Sequence, residues 1–178
     1  ACAMDMAPNE IGPNPLHIAR PGTWFGEAAL LHARDRVRLV SVIATRPSHC
    51  LYLPNSEWEQ IAESDPNAWR WLGVLAAIHF RNTLGALDDL AIRKPRQRIA
   101  AILLRLANAR LAGKALDPTP VLDLTQKDLA QLSNLSRAAL GDHFEEMRRD
   151  GLIESSYGQV TILDTEGLRA WVTDDERT

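Results

Sequence analysis

Cysteine is scarce in this chain, with two residues, Cys2 and Cys50, far apart. That spacing offers no zinc motif and no iron–sulfur framework within the chain, so a reduced, cytoplasmic setting is the default expectation. Long apolar runs are also missing. No segment approaches eighteen apolar residues without a charge, so no membrane-spanning helix and no membrane partner are expected. The first residues, ACAMDMAPNE, lack the basic region followed by an apolar run that marks a secretory signal. Positive charge is not in excess: 20 Lys+Arg stand against 23 Asp+Glu, a net charge of −3, unlike an indiscriminate nucleic-acid binder. There is no nucleophile elbow, no P-loop and no zinc-hydrolase motif, so an enzyme is not expected. His17, His32, His49 and His79 form no i, i+4 pair on a helix, which disfavours metal or haem. What remains is 178 residues, 46% of them hydrophobic, enough for one or two domains with a sizeable core.

The stretch from Leu124 to Ile162, LTQKDLAQLSNLSRAALGDHFEEMRRDGLIESSYGQVTI, carries the most information. Thr125 can cap a first helix, and Asp128 three residues on completes a capping box. Asn134 tolerates the left-handed backbone that a tight interhelical turn needs. Ser136 is a good N-cap for a second helix. On that helix Leu140, Phe144 and Met147 share one face by their i, i+4, i+7 spacing, leaving Arg137, Ala138, Gly141 and Asp142 on others. Gly151 is a natural stop. Leu152–Ile153 and Val160–Ile162 read as two short strands, with Ser156-Tyr157-Gly158 as the turn. A capped helix pair can be mere packing; a hairpin directly behind it narrows the pattern to a helix-turn-helix with a wing, which places one helix in a DNA groove.

The rest of the chain supplies a frame. Residues 1–22 read as loop with one short strand, Leu16–Ala19. Val37, Leu39, Val42, Ile43, Leu51 and Leu53 suggest further short strands. Ser56 is placed to cap a helix from Glu57 to Glu63. Proline at its first turn starts a long helix from Asn67 to Ile92, whose Trp71, Leu72, Val74, Leu75, Ile78, Leu84, Leu87 and Leu90 suit a symmetric dimer seam or packing on the same chain. Lys94-Pro95 ends it. A helix from Arg96 to Arg110, a linker from Gly113 to Pro120, and a last helix from Glu166 to Val172 capped by Asp164 or Thr165 complete the expectation.

With GTWFGEAALL at Gly22–Leu31, this order of strands, long helix and winged helix resembles the Crp–Fnr family of bacterial transcription regulators. The resemblance covers roughly Pro21 to Trp171. It implies an α+β fold: a partial β-roll of the cyclic-nucleotide-binding kind at 1–66, a long dimerisation helix at 67–94, and a winged helix-turn-helix at 95–178. About 25 residues precede the F-G-E turn, where family members carry several more strands; the expectation is that residues are missing at the front. The resemblance further implies an effector site at Gly26, Glu27, Arg38 (Arg36 if the loop is gapped differently), Leu39 and Thr83. There, backbone N–H groups, a carboxylate and an arginine suit a cyclic nucleotide. Leu39 stands where nucleotide-binding members carry Ser or Thr, which removes a hydroxyl donor. Cyclic nucleotide, another small effector and no ligand at all stay open, and a bare Glu27–Arg38 ion pair fits the last.

For DNA the resemblance implies contacts from Thr125, Gln126, Ser136, Arg137, Ala138, Gly141, Asp142, Ser156 and Tyr157. Arg137 suits a guanine and Ala138 a thymine methyl. Ala138 and Asp142 replace the family's usual glutamate and second arginine, so its usual operator does not carry over. The expected function is a homodimeric, sequence-specific transcription regulator acting on double-stranded DNA, with RNA polymerase as a further partner. The competing reading is a winged helix that binds a protein, motivated by Asp142 and by 11 Lys+Arg against 13 Asp+Glu from Pro95 onward.

Overall fold

The computed structural model of the protein describes residues 2–6, 15–31, 40–110 and 119–173. Its elements are β1 (Cys2–Met6), β2 (Pro15–Ala19), α1 (Ala28–Leu31), β3 (Val40–Ala44), α2 (Asn55–Ser64), α3 (Asn67–Ala91) and α4 (Pro95–Leu106). Then follow β4 (Val121–Leu122), α5 (Gln126–Leu132), α6 (Arg137–Arg149), β5 (Ile153–Ser156), β6 (Gln159–Ile162) and α7 (Thr165–Thr173). The α+β class and the order of strands, long helix and winged helix are as expected.

The front sheet is antiparallel in the order β2-β1-β3, with Cys2 paired to Ala19 on one side and Ala44 on the other. β1 is the central strand, yet its sequence, Cys-Ala-Met-Asp-Met, lacks β-branched residues and reads as loop. Its strand status comes from two partners rather than from propensity. The strand expected through Leu51 and Leu53 is absent. Residues 47–54 have no ladder partner among the described strands, and Leu51 and Tyr52 are exposed. Alternation alone does not make a strand where no neighbour accepts its hydrogen bonds. Ser56 is likewise not a cap: α2 begins one residue earlier, behind the extended backbone of Pro54, with no side-chain cap.

α3 is a single helix of 25 residues. Ala68, Leu72, Gly85, Ala86 and Asp89 form its buried side. Phe80, Leu84 and Leu87 point away from the chain, at 66%, 49% and 60% exposure. The stripe read from sequence therefore divides: Leu72 packs inward, while Leu84 and Leu87, joined by Phe80 from outside that reading, leave an a/d-spaced line bare.

α4 runs back beside the end of α3 and stops at Leu106, short of the expected Arg110. Asn108 takes a left-handed backbone (φ 56°), while the N–H groups of Asn108 and Ala109 donate to the carbonyls of Arg105 and Leu104. That is a Schellman stop, made with asparagine where glycine is usual. The α3–α4 bend is held by charge. Arg105 Nε lies 2.6 Å from Asp89 Oδ2, both side chains almost wholly buried, and Arg110 pairs with Asp88 and Asp89. Burial lowers the Arg105 pKa to about 10, which leaves it charged at neutral pH. A buried pair of this kind is weak evidence for net stability, because two charges were desolvated to form it. It does fix geometry here, since Asp89 near the end of α3 has as partners Arg105 of α4 and Arg110 just behind α4, so the charges span the bend.

The main core lies in the C-terminal half. Ile99, Ile102 and Leu103 of α4, Leu129 of α5, Leu140, Phe144 and Met147 of α6, Ile162 of β6 and Leu168 of α7 are fully buried in one cluster. Each such side chain contributes about 1.5–3 kcal/mol through its removal from water. Arg96 stacks on the Trp171 ring 3.6 Å from its centroid, which closes the cluster on the α7 side. β4 was not foreseen. Two residues are too few for a sequence pattern, and they are a strand because Val121 and Leu122 pair with Thr161 and Val160.

Candidate DNA-binding face and effector turn

The helix-turn-helix forms from local signals that close as read. Thr125 Oγ1 accepts from the Asp128 N–H at 3.1 Å, and the Asp128 carboxylate accepts from the Thr125 N–H at 2.9 Å. The turn takes its shape from Asn134 (φ 51°), with Leu135 N–H donating to the Ala130 carbonyl. Ser136 caps α6 by accepting from Ala139 N–H at 3.1 Å. α6 ends as α4 and α5 do: Gly151 (φ 71°) follows, and Leu152 N–H donates to the Met147 carbonyl. With Leu140, Phe144 and Met147 wholly buried, the opposite side of α6 is fixed outward. Arg137, Ala138 and Asp142 are exposed there and Gly141 is half-buried. A Cβ added at Gly141 would meet nothing within 4 Å, so this position keeps an open approach to the helix.

The remaining DNA candidates frame α6. Gln126 lies exposed on the first turn of α5, beside the half-buried Thr125. β5 and β6 pair with Ser156 opposite Gln159, so the turn is the two residues Tyr157 and Gly158. Tyr157 is fully exposed at its tip. Gly158 sits at φ 71°, where a side chain is strained.

The effector candidates are brought together only in part. Arg38, Leu39 and the alternative Arg36 lie outside the described residues, and so does His32. Gly26 has φ 101° and opens the short α1. Glu27 does not stand open. His79 of α3 places Nδ1 2.7 Å from Glu27 Oε1, with side-chain exposures of 22% and 10%. The bond and charge of Glu27 raise the His79 pKa above its ordinary value despite burial, and His79 lowers that of Glu27 against its own desolvation. Thr83 stands one turn further along α3, exposed, with its hydroxyl donating to the His79 carbonyl at 3.0 Å. His17 of β2 is the other histidine in this region. Burial first, then the nearby charges of Arg105, His79 and Arg20, push its pKa down to about 4, and its Nδ1 has no hydrogen-bond partner. Sequence reasoning weighed His79 only as a metal or haem ligand. Its pairing with Glu27, 52 positions earlier, has no sequence signal, because it depends on the turn docking against α3.

The fold and this face define a winged-helix DNA-binding unit, joined through a long helix to a sheet that carries a cyclic-nucleotide-type turn. Residues 97–171 match the Crp-like helix-turn-helix domain and residues 9–65 the cyclic nucleotide-binding domain. The chain belongs to the Crp–Fnr family of transcription regulators. It is 28% identical over 154 residues to the transcriptional regulator SdrP of Thermus thermophilus, a match spanning 86% of this chain and 71% of that protein. It is 27% identical over 156 residues to the HTH-type transcriptional regulator Cmr of Mycobacterium tuberculosis, spanning 87% of this chain and 59% of the relative. Among solved structures, a Crp/Fnr-family regulator of Thermus thermophilus aligns over 97% of this chain and 84% of its own, with a TM-score of 0.63 at 24% identity. A second regulator of that organism aligns over the same shares with a TM-score of 0.69 at 20% identity; both show likeness of fold.

Proposed function

We propose that this transcription regulator works as a homodimer in the cytoplasm, reading a pseudo-palindromic site with one α6 per half-site about one DNA turn apart. The carrying observation is the outward side of α6. Arg137 and Ala138 stand exposed directly behind a formed N-cap, on a helix whose other side is locked in the core. A guanidinium there suits a bidentate contact to guanine, and the helix N-terminus suits a phosphate. Phe80, Leu84 and Leu87 are the proposed dimer seam, because a bare a/d line on a 25-residue helix is best covered by its own copy. The proposed division is the front sheet and α2 at 1–66, the long helix at 67–94, and the DNA-binding unit at 95–178. The Gly26–Glu27 turn is the proposed point of effector control, with RNA polymerase as the proposed further partner.

Selection of genomic DNA fragments at two salt concentrations tests this reading. The expected result is a two-fold motif that Arg137→Ala loses, with specific affinity falling about tenfold or more, as for the loss of a bidentate base contact. The competing reading, a winged helix that binds a protein, has only the charge balance and the exposed Asp142 behind it. DNA affinity that ignores Arg137→Ala, or that is missing at every salt, decides for it.

A further inference from the structure

Arg46 lies two residues beyond β3, in the front half, and its guanidinium grips the wing. Nη1 stands 3.1 Å from Asp123 Oδ1, and Nη2 donates to the carbonyl of Gly158 in the wing turn. The same Asp123 oxygen accepts from Gln159 Nε2 at 3.0 Å. One carboxylate, directly behind β4, thus joins the front half to the first residue of β6. A parallel contact comes from Arg20, whose Nη2 donates to the Val121 carbonyl of β4 at 3.0 Å. Ile18 of β2 is buried within the winged-helix core. The front half is therefore fastened to the winged-helix unit through Arg46, Arg20 and Ile18.

The position of Arg46 gives this contact its consequence. A Cβ at Gly158 would run into the Arg46 guanidinium and would come within 3.8 Å of Thr125 Cγ2. The wing turn is thus seated between Arg46 and the N-cap of α5, with Tyr157 exposed beside it. The geometry points to Arg46 as a positioning residue for DNA binding: it holds the wing tip in register with α5 and α6, so that one DNA duplex meets all three. This rests on the DNA-binding reading above. A two-residue turn joining two four-residue strands is otherwise free to fray, and ordering it on DNA costs affinity. Charge-assisted bonds made in the free protein remove that cost in advance. Because the anchor comes from the half that carries the effector turn, displacement of the front sheet would release the wing.

The test uses the full chain and the operator selected with it. Arg46→Ala, Asp123→Ala and the double variant are compared for specific affinity, for the salt dependence of affinity, and for amide exchange at Tyr157, Gly158 and Gln159 without DNA. Either single change is expected to weaken binding about 5- to 10-fold, the double to be no worse than either, the salt slope to stay unchanged, and wing exchange to quicken. Unchanged exchange in Arg46→Ala overturns the proposal. So does a salt slope lowered by about one unit with tighter binding in Asp123→Ala, since Arg46 would then be a phosphate contact. Arg46 and Asp123 are each about a third exposed, so folding is expected to survive. Arg46→Lys, which keeps the charge but not the fork, must still quicken exchange, and if it does not the proposal fails. Arg137→Ala in the same assay separates this outcome from failure of the DNA reading: lost affinity with unaltered wing exchange marks a base contact alone.

Discussion

The winged helix and the front sheet differ in how their structure is specified. In the helix-turn-helix the boundaries of both helices have nearby causes: the Thr125–Asp128 box, the Ser136 cap, and left-handed Asn134 and Gly151. Its apolar positions then meet in one core, with Phe144 and Leu140 wholly buried. In the front half the central strand has no strand-like sequence, and Leu51, Tyr52 and Trp24 remain exposed. Local signals suffice where a unit buries its own apolar face. Where burial depends on distant partners, the same residue types lie bare.

The sharpest way to break this contrast is to truncate one side chain in each half. Phe144→Ala is expected to cost about 3–5 kcal/mol, because it opens a cavity in the middle of the core. Leu51→Ala, at a residue already in solvent, is expected to cost within about 0.5 kcal/mol. Urea denaturation followed separately in the two halves measures both, and equal losses would remove the distinction.

A smaller effect probes the junction between the front turn and α3. His79 titrates above its ordinary 6.5, so its bond to Glu27 stabilises fully below pH 6.5 and is lost as pH rises through the raised value. Glu27 titrates below its ordinary 4.5, so its share is present above pH 4.5 and lost as pH falls through the lowered value. The pair therefore contributes most between about pH 4.5 and 6.5, on the order of 1–2 kcal/mol for a charge-assisted bond. His17 acts in the opposite sense. Held neutral until about pH 4, it binds fewer protons folded than unfolded, so it subtracts stability as pH falls from 6.5 toward 4. Melting temperature against pH should show His79→Ala departing most from the parent near pH 5.5 and converging on it as pH rises through the raised His79 value. His17→Leu should lift the acid side of the curve. A pH-independent gap between His79→Ala and the parent would remove the ion pair from the account.

The smallest expected effect sharpens the DNA side. Gly141→Ala fills open space in a helix interior and should stabilise the protein by about 0.5–1 kcal/mol. The same methyl stands on the side proposed to meet DNA, so affinity for the selected operator should fall. A stabilised variant that binds as before would show that nothing approaches α6 closely at this point.

Much of the candidate DNA face was legible beforehand because its signals are short in range. A cap, a left-handed asparagine and an i, i+4, i+7 triplet each act within a few residues, and the structure closes all of them. The effector turn was legible as a motif but not as a site, since nothing in its neighbourhood announces that His79 reaches Glu27. Arg46 carries no signal either, because its partners lie 77 and 112 positions away.

The sequence by itself determined the two helices of the helix-turn-helix, their caps and stops, and which side of α6 faces out, because backbone hydrogen bonds and apolar periodicity are settled there within one or two turns. The tertiary structure decided which strands exist, since β1 and β4 are strands only through their partners. It also divided α3 between a buried side and a bare apolar line. Finally, it joined the front half to the wing through Arg46 and the Gly26–Glu27 turn to α3 through His79, bonds chosen by docking surfaces far apart in the chain.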